Sequence, residues 1–211
     1  MFRFLIACLA VLSVAGCATN SRSPQADPAE IAARSYREPG PATLTLYTMV
    51  NNRTGAGAHT SLMINARERV IFDPAGSFEA DIVPVRNDVL YGITPAVEQA
   101  YRGSHARSTH HAVIQEVQVT PEQAEVAYRL AKQMGPVPGS LCANRTARLL
   151  QQVPGFEQIK VVYQPLKLSE QFDQILGVVT ERYYENDDAD LQKGLAENNA
   201  KLNMLERTST Q

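Results

Sequence analysis

The sequence has no excess of positive charge, because 20 lysine and arginine residues stand against 22 aspartate and glutamate residues. Loss of Arg3 with an N-terminal signal would leave 19 basic residues and a formal net charge of −3. Proteins that bind nucleic acid normally carry a basic excess or a basic patch. The charge balance therefore argues against a nucleic-acid partner.

The apolar run near the N-terminus is too short to span a bilayer comfortably. It covers only the 11 residues FLIACLAVLSV, whereas a transmembrane helix needs about 20 apolar residues. Arg3 lies at the start of this run, and the small residues VAG at its end lead directly into Cys17. These features predict that residues 1–16 are a targeting segment and not part of the fold. A conventional signal peptide cut nearby, or a short membrane anchor, is the alternative.

The segment resembles a bacterial lipoprotein signal, in which the cysteine after the small residues is lipidated and becomes the mature N-terminus. The resemblance implies that Cys17 carries lipid and that the protein is a lipid-anchored membrane protein of the bacterial cell envelope, facing the periplasm. Cys8 would leave with the signal, so Cys142 would be the only free thiol among the three cysteines. Because an oxidising compartment normally pairs its cysteines, Cys142 is either a small buried hydrophobic residue or a retained nucleophile.

Composition divides the rest of the chain into three parts. Residues 17–40 are rich in Ser, Pro, Ala and Arg and lack a sustained hydrophobic period, which predicts a flexible tether. Residues 41–180 have the size of one domain. Residues 181–211 form a polar C-terminal tail, and the sequence from Glu185 onward predicts a frayed helix or a disordered segment.

Alternation of apolar and polar residues predicts an α+β fold with a mostly antiparallel central sheet and packed helices. Thr94 and Thr120 are each followed by proline and predict two helix starts, and Gln123 completes a capping box with Thr120. The predicted strands are 43–50, 58–64, 68–73, 82–85, 110–119 and 159–163, and the predicted helices are 91–102, 121–134, 140–152 and 169–176.

The best-placed histidine, His59, lies in the first strand of a predicted hairpin. If residues 65–67 form its loop, the register sets His59 directly opposite Asp73. Directly opposed residues have Cβ atoms roughly 4.5–5.5 Å apart, a distance at which a carboxylate can orient an imidazole. Because Pro74 follows it, Asp73 has an alternative interpretation as a turn residue.

Cys142 lies near the start of a predicted helix that Ser140 caps. The unsatisfied amides and the positive end of the helix dipole at such a position favour the thiolate over the thiol. A neighbouring imidazolium would favour the thiolate further. The position therefore suits a nucleophile better than the middle of a helix would.

Three sequence pieces together resemble the circularly permuted branch of the NlpC-type papain-like cysteine hydrolases, which includes relatives of lecithin:retinol acyltransferase. The pieces are HTSLMI from His59, VIFDPAG from Val70 and SLCANRTARLL from Ser140. In papain-like enzymes the cysteine helix usually comes first, whereas here the histidine precedes the cysteine. The resemblance covers roughly residues 43–165 and implies a permuted papain-like fold for the domain.

The resemblance also implies roles for three residues. Cys142 would be the nucleophile, His59 the general base and then acid, and Asp73 the polar residue that fixes the imidazole tautomer. The backbone N–H of Cys142 would supply part of an oxyanion hole. Asp73 departs from the family pattern, since relatives often carry a histidine or another polar residue there. No aromatic or glutamine residue of the usual kind precedes the cysteine, so that part of the oxyanion hole is missing or comes from elsewhere in the chain.

The activity implied by this resemblance is hydrolysis of an amide or ester bond at the cell envelope. The substrate would be a peptidoglycan stem peptide or a lipid-linked acyl group, with the protein held at the membrane through its N-terminal lipid. No cofactor is expected. The alternative is a non-catalytic envelope lipoprotein, a binding or scaffold module that retains the fold.

The three remaining histidines, His105, His110 and His111, lie close together in the sequence but do not predict a metal site. His110 and His111 are neighbours on a predicted strand, so their side chains point to opposite faces of the sheet. Ligands of one ion must converge on a single point. We therefore expect no metal site.

Overall fold

The computed structural model describes residues 25–209, which are built around a seven-stranded sheet whose strand pairs are antiparallel. The helices are α1 (Pro28–Ala33), α2 (Pro95–His105), α3 (Pro121–Met134), α4 (Cys142–Leu150), α5 (Pro165–Phe172) and α6 (Leu191–Ser209). The strands are β1 (Thr43–Asn51), β2 (Gly57–Asn65), β3 (Arg69–Phe72), β4 (Val85–Arg86), β5 (Val89–Leu90), β6 (His110–Gln118) and β7 (Val179–Tyr183). They lie side by side in the order β4-β5-β3-β2-β1-β6-β7. The predicted α+β class with a mostly antiparallel central sheet is confirmed.

The sheet is buried on both faces, and each face has its own hydrophobic core. On β1, Leu44 and Leu46 contribute to the core beneath α3, α4 and α5, whereas Tyr47 and Met49 contribute to the core beneath α2 and α6. Successive side chains of a strand point to opposite faces, so one central strand supplies both cores. The molecule therefore has three layers, with helices on either side of the sheet.

Two of the predicted helix starts are present as expected. The Thr94 hydroxyl accepts a hydrogen bond from the N–H of Val97 at the start of α2, and Thr120 forms a reciprocal capping box with Gln123 at the start of α3. Each cap satisfies amides that the first turn of the helix leaves without an intrahelical partner. The starting residues of these two helices, which lie on opposite faces of the sheet, are thus determined by local sequence.

Several predicted boundaries are wrong. Residues 159–163 form no strand, because the chain there bonds to a helix side chain: the N–H of Lys160 donates to Gln171 over 2.7 Å. Of the predicted strand 82–85, only Val85 lies in a strand, as the first residue of β4, and the helix predicted at 169–176 instead runs from Pro165 to Phe172.

The predicted hairpin of β2 and β3 is present, but its register differs by two residues. Residues 66–68 form the loop in place of 65–67, so Ile64 pairs with Val70 and not with Glu68. We predicted that His59 lies directly opposite Asp73, and this prediction is wrong. A shift of two residues keeps every side chain on its original face, so His59 and Asp73 still lie on the same side of the sheet.

Part of the segment predicted as a flexible tether packs against the domain. The N–H of Ala26 donates to Val85 O over 2.9 Å, and the N–H of Arg69 in β3 donates to Tyr36 O. Arg34 forms an ion pair with Glu206 of α6. Residues 25–40 thus pack on the folded domain, while residues 1–24, which include the predicted targeting segment, lie outside the described residues.

The polar C-terminal segment also packs against the domain. Helix α6 contacts α2, and its Leu195 and Leu202 are buried in the second core. The expectation of a frayed helix or disordered segment is therefore wrong for residues 191–209. Within the described part of the chain, no helix combines the length and the apolar character that crossing a membrane would require.

Candidate active site

Cys142 is the first residue of α4, at the end of the helix where the backbone amides have no intrahelical acceptor. Its Sγ atom accepts hydrogen bonds from the N–H groups of Ala143 and Thr60. Ser140 does not cap this helix as predicted, because its φ of 73° places it in the left-handed region and Leu141 occupies the cap position. The sulfur is therefore held by backbone amides from a helix and from a strand.

The sheet opens beside β2 and leaves room for the start of α4. Strand β3 pairs with β2 only between Leu62 and Asn65 and ends at Phe72, while β2 begins earlier, at Gly57. The N–H of Thr60, in the part of β2 that extends beyond β3, is the one that reaches Cys142. The gap between the two strands thus brings the α4 terminus to the strand that carries the histidine.

His59 joins Cys142 to Asp73. The Nε2 atom of His59 lies 2.6 Å from Asp73 Oδ1, and the His59 ring also makes a side-chain hydrogen bond with Cys142. Since Nε2 is engaged by the carboxylate, Nδ1 is the ring atom left to face the sulfur. The side chain of His59 is 17 % exposed and that of Asp73 is 3 % exposed. The three predicted site residues therefore form one hydrogen-bonded row.

Asp73 uses its main chain for a turn and its carboxylate for the histidine. The N–H of Gly76 donates to Asp73 O over 2.9 Å, and Ala75 between them has a φ of 60°. A Cβ atom at Gly76 would overlap Asp73 Oδ2. The two interpretations of Asp73 weighed from the sequence are thus compatible, because the turn itself presses the carboxylate toward His59.

A second row of hydroxyl groups supports the carboxylate. Tyr101 of α2 has its hydroxyl 3.0 Å from Asp73 Oδ1 and 2.7 Å from Ser61 Oγ. An ionised carboxylate only accepts hydrogen bonds, so Tyr101 donates to Asp73 and Ser61 donates to Tyr101. The order of contacts is therefore Ser61, Tyr101, Asp73, His59 and Cys142.

Asp88, in the turn between β4 and β5, bonds both to the turn that contains Asp73 and to the loop that leads into Cys142. Its carbonyl oxygen accepts the N–H of Asp73 over 2.8 Å. Its Oδ2 atom accepts the N–H groups of Ala75 and Val137 over 3.2 and 3.1 Å. Val137 belongs to the loop that leads into Cys142, so one side chain sets the spacing of both loops.

His105, at the end of α2, stacks on His59. The two ring centroids are 6.0 Å apart and the planes differ by 13°. The Nδ1 atom of His105 lies 2.9 Å from Tyr101 O, a carbonyl, so Nδ1 carries the proton. Its Nε2 atom is shielded from solvent and has no hydrogen-bond partner within the described chain.

The charges in the row favour a thiolate and an imidazolium. Burial by itself lowers the pKa of His59, but the Asp73 carboxylate and the Cys142 sulfur outweigh burial and raise it to about 10. Burial raises the pKa of the Cys142 thiol, but the charge of His59 and the amides of Thr60 and Ala143 bring it below its ordinary value. Burial opposes ionisation of Asp73 too, and His59 lowers its pKa. The row therefore favours an ionised Asp73, a protonated His59 and, relative to an isolated thiol, the thiolate form of Cys142.

A pocket of about 320 Å³ borders the histidine. Its wall includes the apolar side chains of Met49, Ala58 and Leu191 together with the rings of His59, His105 and His110. A small group placed there lies against the imidazole ring. The pocket is therefore open space beside His59 and His105 in which a small ligand fits.

The structure brings together Cys142, His59 and Asp73, and it places His110 and His111 outside the hydrogen-bonded row. His110 borders the pocket and His111 stacks on Tyr184. Cys17 lies outside the described residues. Our sequence reasoning missed Tyr101, Ser61, His105 and Asp88. Ser61 could have been found from the sequence, because it lies two residues after His59 on β2 and therefore points to the same face of the sheet. The contacts of the other three residues depend on how α2 and the turns pack.

Comparison of the chain with family models, with curated proteins and with solved structures gives no match. The permuted papain-like resemblance thus stays a prediction from the sequence.

Proposed function

We propose that the protein is a cell-envelope lipoprotein that hydrolyses an amide or ester bond through Cys142 and His59, with the domain in a permuted papain-like arrangement. The single observation that supports this proposal most is the hydrogen-bonded row from Asp73 through His59 to Cys142 at a helix start. A nucleophile, a base and a group that orients the base, each within hydrogen-bond reach of the next, are the minimum for covalent acyl transfer.

The reaction begins with attack by the Cys142 thiolate on the carbonyl carbon of the substrate. The carbonyl π electrons move to oxygen, and the backbone N–H of Cys142 is positioned at the helix start to stabilise that oxyanion. His59 then donates its Nδ1 proton to the leaving nitrogen or oxygen as the bond to the carbonyl carbon breaks. An acyl-thioester on Cys142 and a neutral His59 remain.

Hydrolysis of the thioester returns the site to its starting state. Neutral His59 takes a proton from water as the water oxygen attacks the thioester carbon, and the Cys142 thiolate leaves. The product is a carboxylic acid, and the imidazolium–thiolate pair is restored. Throughout both steps Asp73 stays ionised, which fixes the ring orientation and stabilises the imidazolium.

The substrate is a peptidoglycan stem peptide or a lipid-linked acyl group, both of which occur where a lipid-anchored envelope protein lies. Incubation of the purified protein with cell-wall fragments and, separately, with lipid extracts distinguishes the two when products are read by mass spectrometry. The partners implied are the membrane, through the N-terminal lipid, and this substrate.

Formation of the acyl-enzyme is the direct test. With p-nitrophenyl acetate, the protein should release a burst of p-nitrophenol and gain one acetyl group on the peptide that contains Cys142. Cys142→Ala and His59→Ala should abolish both signals, whereas His111→Ala, at a histidine that does not border the pocket, should retain them. A burst that survives Cys142→Ala would refute the proposal.

A non-catalytic binding or scaffold module is the second candidate, and the observation that favours it is the low exposure of Cys142, at 6 %. In that case iodoacetamide should label Cys142 only when the protein is unfolded. Rapid labelling of the folded protein near neutral pH favours the hydrolase.

A further inference from the structure

Three metal-ligating side chains converge at the site, although the mechanism uses only two of them. One ligand atom each from His59, Asp73 and His105 can be chosen so that all three lie within 4.8 Å of one another. They come from β2, from the turn after β3 and from the end of α2. Side chains from three separate elements thus converge on one point beside the pocket.

His105 has the form of a metal ligand whose metal-binding atom is free. Its Nδ1–H donates to Tyr101 O, which leaves the lone pair on Nε2. That Nε2 atom is buried and has no hydrogen-bond partner in residues 25–209. A buried acceptor without a donor is destabilising, and most such atoms in proteins are satisfied. Nothing in the hydrogen-bonded row from Asp73 to Cys142 explains why the Nε2 atom of His105 lacks a donor.

The surroundings of the three side chains match those of metal ligands. Ligating histidines commonly donate their second ring nitrogen to a carbonyl or carboxylate, which fixes the tautomer. His105 makes such a bond to Tyr101 O, and the Tyr101 hydroxyl supports the Asp73 carboxylate at 3.0 Å. The pocket that His59 and His105 border supplies an entry path and room for water as a further ligand.

We propose that His59, Asp73 and His105 form a binding site for a transition-metal ion of the zinc class, and that its occupation switches off the cysteine chemistry. Two imidazoles and one carboxylate suit Zn²⁺, Co²⁺ or Ni²⁺, whereas Ca²⁺ and Mg²⁺ prefer an all-oxygen set. This inference revises our expectation that the protein has no metal site. That expectation was based on His105, His110 and His111, whereas the side chains that converge with His105 are those of His59 and Asp73.

The inhibitory consequence rests on the proposed function, because both uses need the same atom. In the reaction, His59 Nε2 donates to Asp73 while the other ring nitrogen exchanges a proton with Cys142 and substrate. In the metal-bound state, His59 Nε2 is a ligand, and the ring no longer cycles between imidazolium and imidazole. The enzyme is therefore active only when the site is free of metal.

Metal binding is tested in the full chain carrying Cys142→Ser, so that the outcome does not depend on the cysteine reaction. Isothermal titration with Zn²⁺ should give one ion per chain. Co²⁺ should give the visible absorption of a low-symmetry nitrogen and oxygen site, without a sulfur-to-cobalt charge-transfer band. His105→Gln should weaken Zn²⁺ binding at least about tenfold, as should Asp73→Asn.

His110→Gln is the matched control, since His110 borders the same pocket but is outside the ligand set, and it should bind Zn²⁺ as tightly as its parent. No binding of Zn²⁺ by the parent chain, or equal binding by the parent and a folded His105→Gln variant, overturns the site. Binding that leaves the wild-type acetyl-enzyme burst unchanged overturns the inhibitory role. Failure of the hydrolase proposal is seen separately, as a missing burst in metal-free wild type.

Discussion

The carboxylate of Asp73 packs against Gly76 so closely that the glycine has no room for a side chain: a Cβ atom there would overlap Asp73 Oδ2. Gly76 is not in the left-handed region, so its requirement is steric and not conformational. The turn after β3 thus fixes the distance between Asp73 and His59.

Gly76→Ala should therefore lower activity without removing any reacting group. The added methyl pushes the Asp73 carboxylate away from His59, and the imidazole loses its orienting partner. We expect a fall in kcat for p-nitrophenyl acetate hydrolysis and a lower pKa for His59. Gly139→Ala is the matched control, since a Cβ there meets no described atom within 4 Å. Equal rates for the two variants would show that the turn does not position the carboxylate.

The pH profile of kcat/KM should be bell-shaped in metal-free buffer. Activity requires the thiolate and the imidazolium together, so it is lost on the acid side as Cys142 is protonated and on the alkaline side as His59 loses its proton. The pKa of His59 is raised from its ordinary value of 6.5 to about 10, so the alkaline limb should be centred at a pH of about 10. In Asp73→Asn this limb should move to lower pH. An alkaline limb that ignores this substitution would contradict the assignment of Asp73.

Stability should respond to Asp73 in the acid range. The pKa of Asp73 is lower in the folded protein than its ordinary value of 3.8, so the contribution of its charge to stability is fully present above that value. The contribution is lost as pH falls through the folded pKa. The difference in unfolding free energy between wild type and Asp73→Asn, measured by urea unfolding, should thus shrink below pH 4. A difference that grows with acidity would be the wrong sign.

Cys142 and His59 should act as one unit. Each of the alanine substitutions removes an obligatory partner, and general acid–base catalysis alone contributes on the order of 10²- to 10⁴-fold. The double variant should consequently be little slower than Cys142→Ala, because the histidine has nothing left to activate. Rate measurements on the two single variants and the double variant test this, and multiplicative losses would argue for independent roles.

Lipidation at Cys17 is tested by metabolic labelling with palmitate. The label should follow the wild-type chain and disappear in Cys17→Ala, because the thiol is the modified group. Cys142→Ala serves as the control and should keep the label. Labelling that persists in Cys17→Ala would remove the lipoprotein interpretation.

The sequence allowed prediction of the features that depend on local pattern. The capping box of Thr120 and Gln123 is contained within four residues, and strand alternation places His59 and Asp73 on one face for every even shift in register. The exact register could not be predicted from the sequence, because long-range hydrogen bonds from Tyr128 and Ser35 to the Glu68 carboxylate hold Glu68 in the loop. Alternation gives no information about such contacts.

Other features depended on packing between distant segments. Tyr101 reaches Asp73 only because α2 packs on the face of the sheet to which His59 and Asp73 point. The sequence of α2 alone does not indicate that packing. Helix α6 did leave a signal, since Leu191, Leu195 and Leu202 share one face at helical spacing, but the surrounding charge obscured it.

The rate at which iodoacetamide alkylates Cys142, followed against pH by mass spectrometry of its peptide, is the decisive test of the pairing between His59 and Cys142. Wild type should react as a thiolate below the free-cysteine pKa of ~8.5. In His59→Ala the curve should move up to that value or beyond, since burial of Cys142 then lacks an opposing charge, and Asp73→Asn should lie between the two. Three superimposable curves would mean that His59 does not influence the sulfur, and the proposed cysteine chemistry would be contradicted.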